Sequence, residues 1–304
     1  MATSLTSKGL IAASDKVIIA AQNSIEFVKL FTTDFSPDEA THGATVNVKV
    51  LAATAADFAK KTQNYVTATN TIKDADVVLN KDKISVYTLD SLDVIKDELS
   101  PVWDKFAPTA GRAIGRAFAG DVVSLLSYDK ADSQKTLTGS ALSNFVGLRA
   151  LAEDAGFDPA DCVVILEPVT YAALVSVLPA SIVGAGGVVN SALVGAQFGF
   201  KAIIEGPSIS KASAAEAQKG VGFIVPTGAV AAANRWKAPV KGAVGNTIEA
   251  GYSIDEETGL VIGTRVVVDG DNGEVAWSAE ALYGVALAKQ NKNGAPGFVQ
   301  LITA

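Results

Sequence analysis

The feature that most constrains the fold is segment 90–128, in which apolar residues recur every three to four positions. That spacing predicts an amphipathic helix with one face committed to packing, while the charged residues fall on the rest of its surface. Ser100 and Pro101 fit an N-cap followed by proline at the first helical position, so a long helix is predicted to begin there. The side chains predicted to pack are Val102, Phe106, Ile114, Val122 and Leu125.

The long helix is predicted to bend at Pro108, because proline lacks an amide proton and clashes with the preceding turn. From Pro101 to Ser127 a straight helix would reach about 40 Å at about 1.5 Å per residue. Helices of globular domains average about a dozen residues, so this one would span the width of the molecule. A buried helix of an enzyme domain would show the same pattern, and the segment alone leaves both interpretations open.

A chain of 304 residues suggests about two domains and can bury substantial cores. Hydrophobic residues make up 49% of it and charged residues 19%, which excludes a disordered protein. The net charge of −7 argues against nucleic-acid binding through a broad basic patch. Cys162 is the only cysteine, so an internal disulfide and a cysteine-based zinc site are excluded, and a buried thiol is the simplest interpretation.

The N-terminal residues 1–36 are predicted to form an arm. They contain two short apolar clusters, at 17–21 and 27–31, and neither is long enough to make a core alone. Both clusters are therefore expected to lie on something else. No apolar run approaches the roughly 20 residues that cross a bilayer, and no signal-peptide core is present, so a cytosol-like compartment is expected.

Residues 45–50 alternate strictly between apolar and polar positions, which predicts a half-buried strand. Residues 51–71 are mostly small and polar and contain no proline or glycine. An alternating stretch at 72–79 then leads into a second strand at 83–89. Two strands separated by so long a polar stretch predict an extended hairpin that stands off the body and is a candidate for reaching a neighbouring molecule.

The rest of the chain alternates helices and strands and then ends in strands alone. Gly156 followed by Phe157 predicts a glycine-terminated helix over 140–155. The elements predicted after it are strands at 162–166 and 221–225, a turn and strand within 198–204, a helix at 169–178 and a small-residue helix or turn at 228–234. The predicted strands of the last third are 247–254, 260–268, 275–278, 282–287 and 298–302. Asp255, Glu256 and Glu257 are predicted to lie at a solvated hairpin tip.

Residue types that carry catalysis or bind metals are scarce. His42 is the only histidine and lies in a predicted turn with no nucleophile motif attached, which counts against most acid–base and metal enzymes. Asp269, Asp271 and Glu274 superficially resemble a calcium loop, but turn chemistry explains them and the flanking helices are lacking. Gly184–Gly187 precedes no strand-to-helix phosphate turn. We therefore predict no catalytic residue, no cofactor site, no metal site and no enzymatic activity.

The order of the predicted elements resembles the major capsid proteins of tailed bacteriophages, which share the Hong Kong 97-like fold. The resemblance covers essentially the whole chain and rests on layout more than on any strict motif. The segments that carry it are the spine-like helix at 100–126 with Asp121 near its end, the strand–proline–helix segment Cys162–Val177, the segment Gly195–Ile204, which is similar to a glycine-hydrophobic strand, and the late element Trp277–Val285.

The resemblance implies an α+β fold with an N-arm, an extended β-hairpin loop, a long spine helix, and peripheral and axial domains. Residues 1–36 would be the N-terminal arm and residues 37–89 the extended loop with its flanking strands. Residues 90–160 would hold the spine helix and the peripheral-domain helices, and residues 161–246 the axial domain. Residues 247–304 would form late β-hairpins that return to the peripheral and axial domains.

The resemblance also implies a structural function, namely self-assembly into hexamers and pentamers of an icosahedral shell that encloses phage double-stranded DNA without sequence-specific binding. The protein would belong to the virion capsid and would assemble in the bacterial host cytoplasm, away from any membrane. Scaffolding, portal and cement proteins are candidate further partners. Subunit contacts are expected at Phe58, Lys60, Lys61 and Tyr65 of the extended loop and at Phe27 and Phe31 of the arm.

Two alternatives remain open at the level of the sequence. An encapsulin-type nanocompartment shares the fold but holds an enzyme cargo instead of a genome. A cytosolic α/β enzyme or ligand-binding protein would use Gly184–Gly187 as its loop, and it would be a monomer or small oligomer with a concave polar pocket.

Overall fold

The structure is a computed structural model. It describes residues 15–22, 25, 28–33, 45–51, 72–89, 99–126, 131, 133–137, 145–178, 191–206, 220–236, 246–255, 259–269, 274–287 and 297–303. The helices of this part are α1 (residues 15–22), α2 (Leu99–Leu125), α3 (Leu148–Asp154), α4 (Pro168–Val177) and α5 (Ser191–Phe198), with a short 3-10 helix at Pro159–Asp161.

The strands of the first half are β1 (Thr32–Thr33), β2 (Thr45–Leu51), β3 (Ile72–Val78), β4 (Lys81–Leu89), β5 (Ser133–Leu137) and β6 (Cys162–Leu166). The strands of the second half are β7 (Ala202–Glu205), β8 (Gly220–Pro226), β9 (Val230–Arg235), β10 (Asn246–Ile254), β11 (Val261–Asp269), β12 (Glu274–Leu287) and β13 (Val299–Thr303). They form a six-stranded sheet, a five-stranded sheet and a separate two-stranded hairpin of β2 and β3.

The six-stranded sheet is organised around β12, a single strand of 14 residues. Along one edge β12 pairs with β11 and then β9, and along its other edge it pairs with β4, antiparallel in each case. The prediction of two separate strands at 275–278 and 282–287 was wrong. Pairing continues between them, because Glu280 and Ala281 lie opposite Ile84 and Lys83 of β4.

The five-stranded sheet has the order β5-β13-β8-β6-β7, and its strands β8 and β6 are buried on both faces. Alternate residues of β6 enter two different cores: Val163 and Ile165 face the six-stranded sheet, whereas Cys162, Val164 and Leu166 face helices α3, α4 and α5. A strand covered on both faces has no position at which water favours a polar residue. That explains the continuous apolar run that predicted β6, and the prediction is confirmed with its bounds.

Helix α2 packs between the two sheets through residues spaced three or four apart, and it runs without interruption through Pro108. Ile114 and Val122 are buried, Phe106 and Leu125 are partly buried against the same core, and the side chain of Val102 lies outside the described part. The hydroxyl of Thr109 donates to the carbonyl of Lys105 at 2.9 Å, one turn back beside the proline. The predicted bend at Pro108 stays a prediction.

Helix α3 ends in the glycine motif that the sequence predicts. Gly156 has φ +84°, its amide donates to the Glu153 carbonyl at 2.9 Å, and the amide of Phe157 donates to the Ala152 carbonyl at 3.0 Å. This pair of hydrogen bonds is the Schellman arrangement, and Phe157 is buried against the helix that it follows. The predicted termination of this helix is confirmed.

Two other predictions were wrong for a shared reason, the close approach of small residues. Residues 228–234, predicted as helix or turn, contain β9, which is buried on both faces and therefore carries alanines where larger side chains would not fit. Gly195–Phe198, compared above with a strand, lies in α5. A Cβ atom on Gly195 would stand 2.5 Å from the Cα of Ala202, so glycine allows α5 to rest directly on β7.

The extended hairpin is present with a different return strand. Strand β2 pairs with β3 over Thr45–Leu51 and Ile72–Val78, whereas β4 belongs to the six-stranded sheet. The expectation that 83–89 contains the return strand is therefore corrected. A tight turn at Asn80, whose amide donates to the Val78 carbonyl at 3.0 Å, separates the hairpin from the sheet.

The contact between α1 and α2 depends on one glycine. A Cβ atom on Gly111 would lie 2.1 Å from the Val17 carbonyl oxygen, whereas a Cβ on Gly120 of the same helix would meet nothing within 4 Å. We predict that Gly111→Ala destabilises the unassembled chain by about 1–3 kcal/mol through overpacking. The control Gly120→Ala should stabilise it by about 0.5–1 kcal/mol through helix propensity. Urea unfolding followed by circular dichroism measures both, and equal effects of the two substitutions would contradict the packing described here.

Candidate functional site

The base of the β2–β3 hairpin is fixed to one face of the six-stranded sheet, which we call the outer face. Val46, Val77 and Leu79 pack there on Ala231 and Ala233 of β9. The backbone approach is close, because a Cβ on the glycine at position 284 would stand 2.1 Å from the carbonyl oxygen of residue 78. Helix α2 and the N-terminal segment cover the opposite, inner face. The direction in which the hairpin leaves the body is therefore set by backbone packing at its base.

A polar cluster fixes the same region from the inner face. The carboxylate of Asp121, near the end of α2, accepts a hydrogen bond from the Tyr283 hydroxyl at 2.8 Å. Lys81 and Lys83, at the start of β4, place their Nζ atoms 3.6 and 3.5 Å from its two oxygens. Phe118 contacts the Tyr283 ring edge-on, with ring centroids 4.9 Å apart. One carboxylate thus joins the long helix to β12 and to the strand that leads out of the hairpin.

The pKa of Tyr283 is raised well above its usual value, first because the ring is buried and second because the hydroxyl donates to the Asp121 carboxylate. Both causes favour the neutral phenol, since an ionised one would face a carboxylate without water to screen it. The pair is therefore a charge-assisted hydrogen bond that the neutral tyrosine hydroxyl donates to the Asp121 carboxylate.

The outer face also carries exposed apolar side chains on both of its flanking strands. Ile84 and Val86 of β4 are 53% and 56% exposed, and Tyr252 and Ile254 of β10 are 46% and 44% exposed. Register places all four on one face, because Ile84 pairs with Glu280, Glu280 with Gly263, and Gly263 with Tyr252. Several large apolar side chains exposed on one sheet face are typical of a surface that contacts another protein.

Between these flanking strands the outer face holds a buried ion pair and an aromatic stack. Arg265 and Glu280 form the pair, and both are buried. Trp236 stacks on Tyr252 with ring centroids 4.5 Å apart. Its indole fills the space above Gly263, where a Cβ would lie 2.8 Å from Nε1. The centre of the face is therefore rigid, and the apolar side chains of β4 and β10 project at its two sides.

Of the predicted contact residues, the structure describes only Phe31, which is not on this surface. Phe58, Lys60, Lys61, Tyr65 and Phe27 lie outside the described residues. Phe31 is fully buried in the core of its own chain, so it has no exposed surface with which to contact a neighbouring subunit, and that expectation is corrected. Its aromatic ring fills a core position that only the folded chain reveals.

The acidic hairpin tip was also predicted wrongly at Asp255, which is only 2% exposed. Its carboxylate accepts a hydrogen bond from Gln22 Nε2 at 2.6 Å and lies 3.9 Å from Lys29 Nζ. Glu256 and Glu257 lie outside the described residues. Sequence reasoning missed Asp255 because an aspartate at the start of a turn that ends in glycine fits that turn whether or not another segment covers it.

Sequence reasoning also missed the outer face itself. The signal was present, since Ile84, Val86, Tyr252 and Ile254 alternate with polar neighbours in their strands, but alternation does not say which of the two faces is covered. Only the pairing of β4 and β10 with β12 and β11 places the four on one side. The residues of the Asp121 cluster show no recognisable spacing in the sequence, because they lie in three separate segments of the chain.

Chemistry other than packing has little support in the described part of the chain. Among those residues no group of three or more histidine, cysteine, aspartate or glutamate side chains is arranged to hold a metal ion. No helix there is long and apolar enough to cross a membrane. Cys162 is buried and is not in a disulfide. His42 and Gly184–Gly187 lie outside the described residues.

Comparison with solved structures identifies the architecture. The capsid of a native GTA particle matches with a TM-score of 0.54 at 13% identity, over 94% of this chain and 90% of that one. A virus-like particle from Pyrococcus furiosus matches with a TM-score of 0.50 at 12% identity, over 94% and 98%. A chain from Mycobacterium phage Che8 gives a TM-score of 0.49 at 14% identity, over 90% of each chain. No protein-family model matches the sequence, and no curated protein sequence matches it significantly.

At these identities the comparison establishes the fold. The chain has the α+β Hong Kong 97-like capsid fold, as the resemblance implied. Helix α2 covers the segment for which the resemblance implied a spine helix, and the β2–β3 hairpin covers part of the segment for which it implied an extended loop.

The Tyr283–Asp121 hydrogen bond gives the alkaline unfolding of this chain a specific dependence on pH. Unfolded tyrosine loses its proton near pH 10, below the raised pKa in the folded state, so above about pH 10 the unfolded state binds fewer protons and stability falls as pH rises. Tyr283→Phe should cost about 1–2 kcal/mol at pH 7 and should reduce the alkaline loss by up to about 1.4 kcal/mol per pH unit. Urea unfolding between pH 7 and 11 measures the difference.

Tyr252→Phe is the control for that experiment, because it removes a half-exposed tyrosine hydroxyl from the same sheet. A parallel pair of pH curves for the parent chain and Tyr283→Phe would contradict the hydrogen-bonded assignment of Tyr283.

Proposed function

We propose that this chain is a structural capsid protein whose copies assemble into hexamers and pentamers of a closed icosahedral shell around phage double-stranded DNA. The observation that carries the proposal is the fold shared over 94% of the chain with the capsid of a native GTA particle. One fold can host several functions, so the proposal also needs surfaces that suit repeated contact between copies. The role is structural rather than enzymatic, and its place is the virion capsid.

The outer face supplies one such surface. The apolar side chains of Ile84, Val86, Tyr252 and Ile254 would lose contact with water against a neighbouring subunit, at about 25 cal/mol per Å² of apolar area removed. Each contact can be weak, because a closed shell repeats it in every subunit and holds each copy through several neighbours at once. A low proportion of charged residues, 19%, suits a chain that buries surface against copies of itself.

The extended loop supplies the second proposed contact. Residues 51–71 would lie over the neighbouring subunit, with Phe58, Lys60, Lys61 and Tyr65 as contact residues. A contact at the end of a long hairpin is specific only if the hairpin has a fixed base. The packing of residue 284 against the hairpin and the ion pairs of Asp121 supply such a base here. Phe27 of the arm is retained as a further proposed contact residue.

The negative net charge of the chain is compatible with enclosing DNA without binding it tightly. With a net charge of −7, the subunit would repel phosphates more than it attracts them, so no sequence-specific binding is proposed. Assembly in the bacterial host cytoplasm, with scaffolding, portal and cement proteins as candidate partners, completes the proposal. The division into residues 1–36, 37–89, 90–160, 161–246 and 247–304 stays a prediction.

The direct test is assembly of the purified chain. Size-exclusion chromatography with negative-stain electron microscopy should show closed particles tens of nanometres across, or rings of five and six subunits. Particles formed in cells should contain nuclease-protected DNA, whereas an encapsulin-type shell would contain protein cargo instead. A chain that stays a monomer or dimer, even with crowding agents or an added scaffolding protein, would exclude the proposed function.

The contribution of the outer face to assembly is tested by placing negatively charged side chains on it. The double substitution Ile84→Glu and Val86→Glu places two carboxylates on already exposed positions, so the fold should lose no more than about 1–2 kcal/mol, from the lower strand propensity of glutamate and from Glu280 opposite position 84. Assembly should fall at least tenfold, because the carboxylates would have to lose their water at the contact. The matched control is Ile84→Val with Val86→Ile, which keeps the same positions apolar and should assemble normally. Normal particles from the glutamate variant would show that this face is not a contact.

A further inference from the structure

The N-terminal segment, of which residues 15–22, 25 and 28–33 are described, lies on the core of its own chain. Most of its apolar side chains enter the core between the two sheets. The buried residues of the segment are Val17, Ile18, Ala21, Ile25, Val28 and Phe31. Ile19, which is 60% exposed, is the exception among the apolar side chains of the described segment.

At its first half the segment is held against the larger sheet and the long helix. Asp15 accepts a hydrogen bond from the Ser253 hydroxyl at 2.6 Å, and Gln22 donates one to the buried carboxylate of Asp255 at 2.6 Å. The Val17 carbonyl oxygen lies directly over Gly111 of α2. Two polar contacts and one close backbone approach thus fix α1 to the β10–β11 hairpin and to α2.

At its second half the same segment contacts the turn that joins the two sheets. Strand β8 belongs to the five-stranded sheet and β9 to the six-stranded sheet, so the chain crosses from one to the other within the inter-sheet turn, Thr227–Ala229. The amide of Gly228 donates to the Phe31 carbonyl at 3.0 Å. Immediately after it, β1 pairs in parallel with β9.

The inter-sheet turn has a backbone suited to a hinge and side-chain contacts that restrain it. Gly228 has φ +78°, a backbone conformation that glycine adopts without strain. Because glycine has no Cβ atom, the backbone at this position can rotate with few steric clashes. Lys201, on the other sheet, donates to the Thr227 hydroxyl at 3.4 Å and to the Leu30 carbonyl at 3.3 Å. The N-terminal segment is therefore bonded to both sheets and to the turn between them.

We propose that the described residues of this segment, 15–22, 25 and 28–33, act as an intramolecular clasp that fixes the angle between the two sheets by holding the inter-sheet turn. Apart from the short edge strand β1, which the segment contributes to the six-stranded sheet, each sheet has an internal network of strand pairs that does not depend on the segment. The relative position of the two sheets depends on their shared core, to which the segment contributes six buried apolar side chains, and on the bonds around Gly228. Loosening the clasp should therefore change the angle between the sheets before it unfolds either one.

A consequence for assembly follows, and it rests on the proposed function. A closed shell of uniform size requires every subunit to present its contact surfaces at the same mutual angle. A subunit whose two sheets vary in angle would give particles of mixed diameter or open fragments.

The test measures the angle between the sheets in the unassembled subunit. Spin labels at Thr88→Cys on β4 and Val169→Cys on α4, both exposed positions, report one distance between the two sheets by double electron–electron resonance. The clasp is weakened without opening the core by Gln22→Ala together with Lys201→Met, which removes one polar contact at each half of the segment. The proposal expects a distance distribution at least twice as broad as that of the parent chain.

The control is Arg149→Ala, which removes an exposed polar contact, the one with Glu153 at 3.0 Å, from α3, a helix whose buried residues belong to the other core, without residues of the clasp or of the inter-sheet turn. Its distribution should equal that of the parent. Hydrogen exchange gives the second readout: the Gly228 amide should exchange about tenfold faster in the clasp variant, while the amides of β6 and β11 keep the protection of the parent.

An unchanged distance distribution in the clasp variant would overturn the proposal, and so would faster exchange spread evenly over β6 and β11, which would indicate general destabilisation. These readouts use the unassembled subunit. If the parent chain formed no particles, the proposed function would fail while the clasp result stood. If the parent formed particles but the clasp variant showed the parent distribution, the clasp alone would fail.

Discussion

The structure depends on one apolar layer, the core enclosed by the two sheets, the long helix and the N-terminal segment. This layer is thin because small residues line it: Ala107, Ala110 and Gly111 on α2 let the first helix lie almost in backbone contact with the long one. Thin layers bury less area per residue than layers of large side chains, but they fix backbones more closely, since a shift of a fraction of an ångström already produces a clash. Small side chains have the same effect in β9, where consecutive alanines let the hairpin base pack closely on one face and the core pack closely on the other.

Backbone contact of this kind explains how the molecule can hold a long projecting hairpin in one direction. A hairpin anchored only by flexible side chains would sample many orientations, whereas one seated on the glycine at 284 has its carbonyls against the sheet. Asp121 adds the electrostatic part of the anchoring, because a carboxylate shared between two lysines and a tyrosine hydroxyl holds three elements together with few atoms. These anchors use few residues and few charges, which is consistent with the low proportion of charged residues in the chain.

Periodicity predicted those elements whose surroundings are uniform along their length. The long helix and β6 were found because one face of the helix and both faces of the strand are buried throughout. The termination at Gly156 was found because its chemistry is local. Strand β9 was missed because alanine has low strand propensity, and its presence there reflects neighbours distant in sequence. Asp255 was misplaced for the same reason, since its burial is caused by Gln22 and Lys29, more than two hundred residues away.

The N-terminal segment shows why the candidate surfaces could not be predicted in the same way. Two short apolar clusters in the sequence indicate that the segment packs against an apolar surface. They do not indicate whether that surface belongs to a neighbouring subunit or to the chain itself. The deciding quantity is the shape of the receiving groove, which α2, the β10–β11 hairpin and the inter-sheet turn create together. Once the segment is known to lie within its own subunit, the exposed apolar side chains of β4 and β10 become the stronger candidates for contact between copies. A shell protein must keep these two kinds of apolar surface distinct, because a segment that satisfies its own core can be folded before assembly begins, while a surface reserved for neighbours must stay exposed until they arrive.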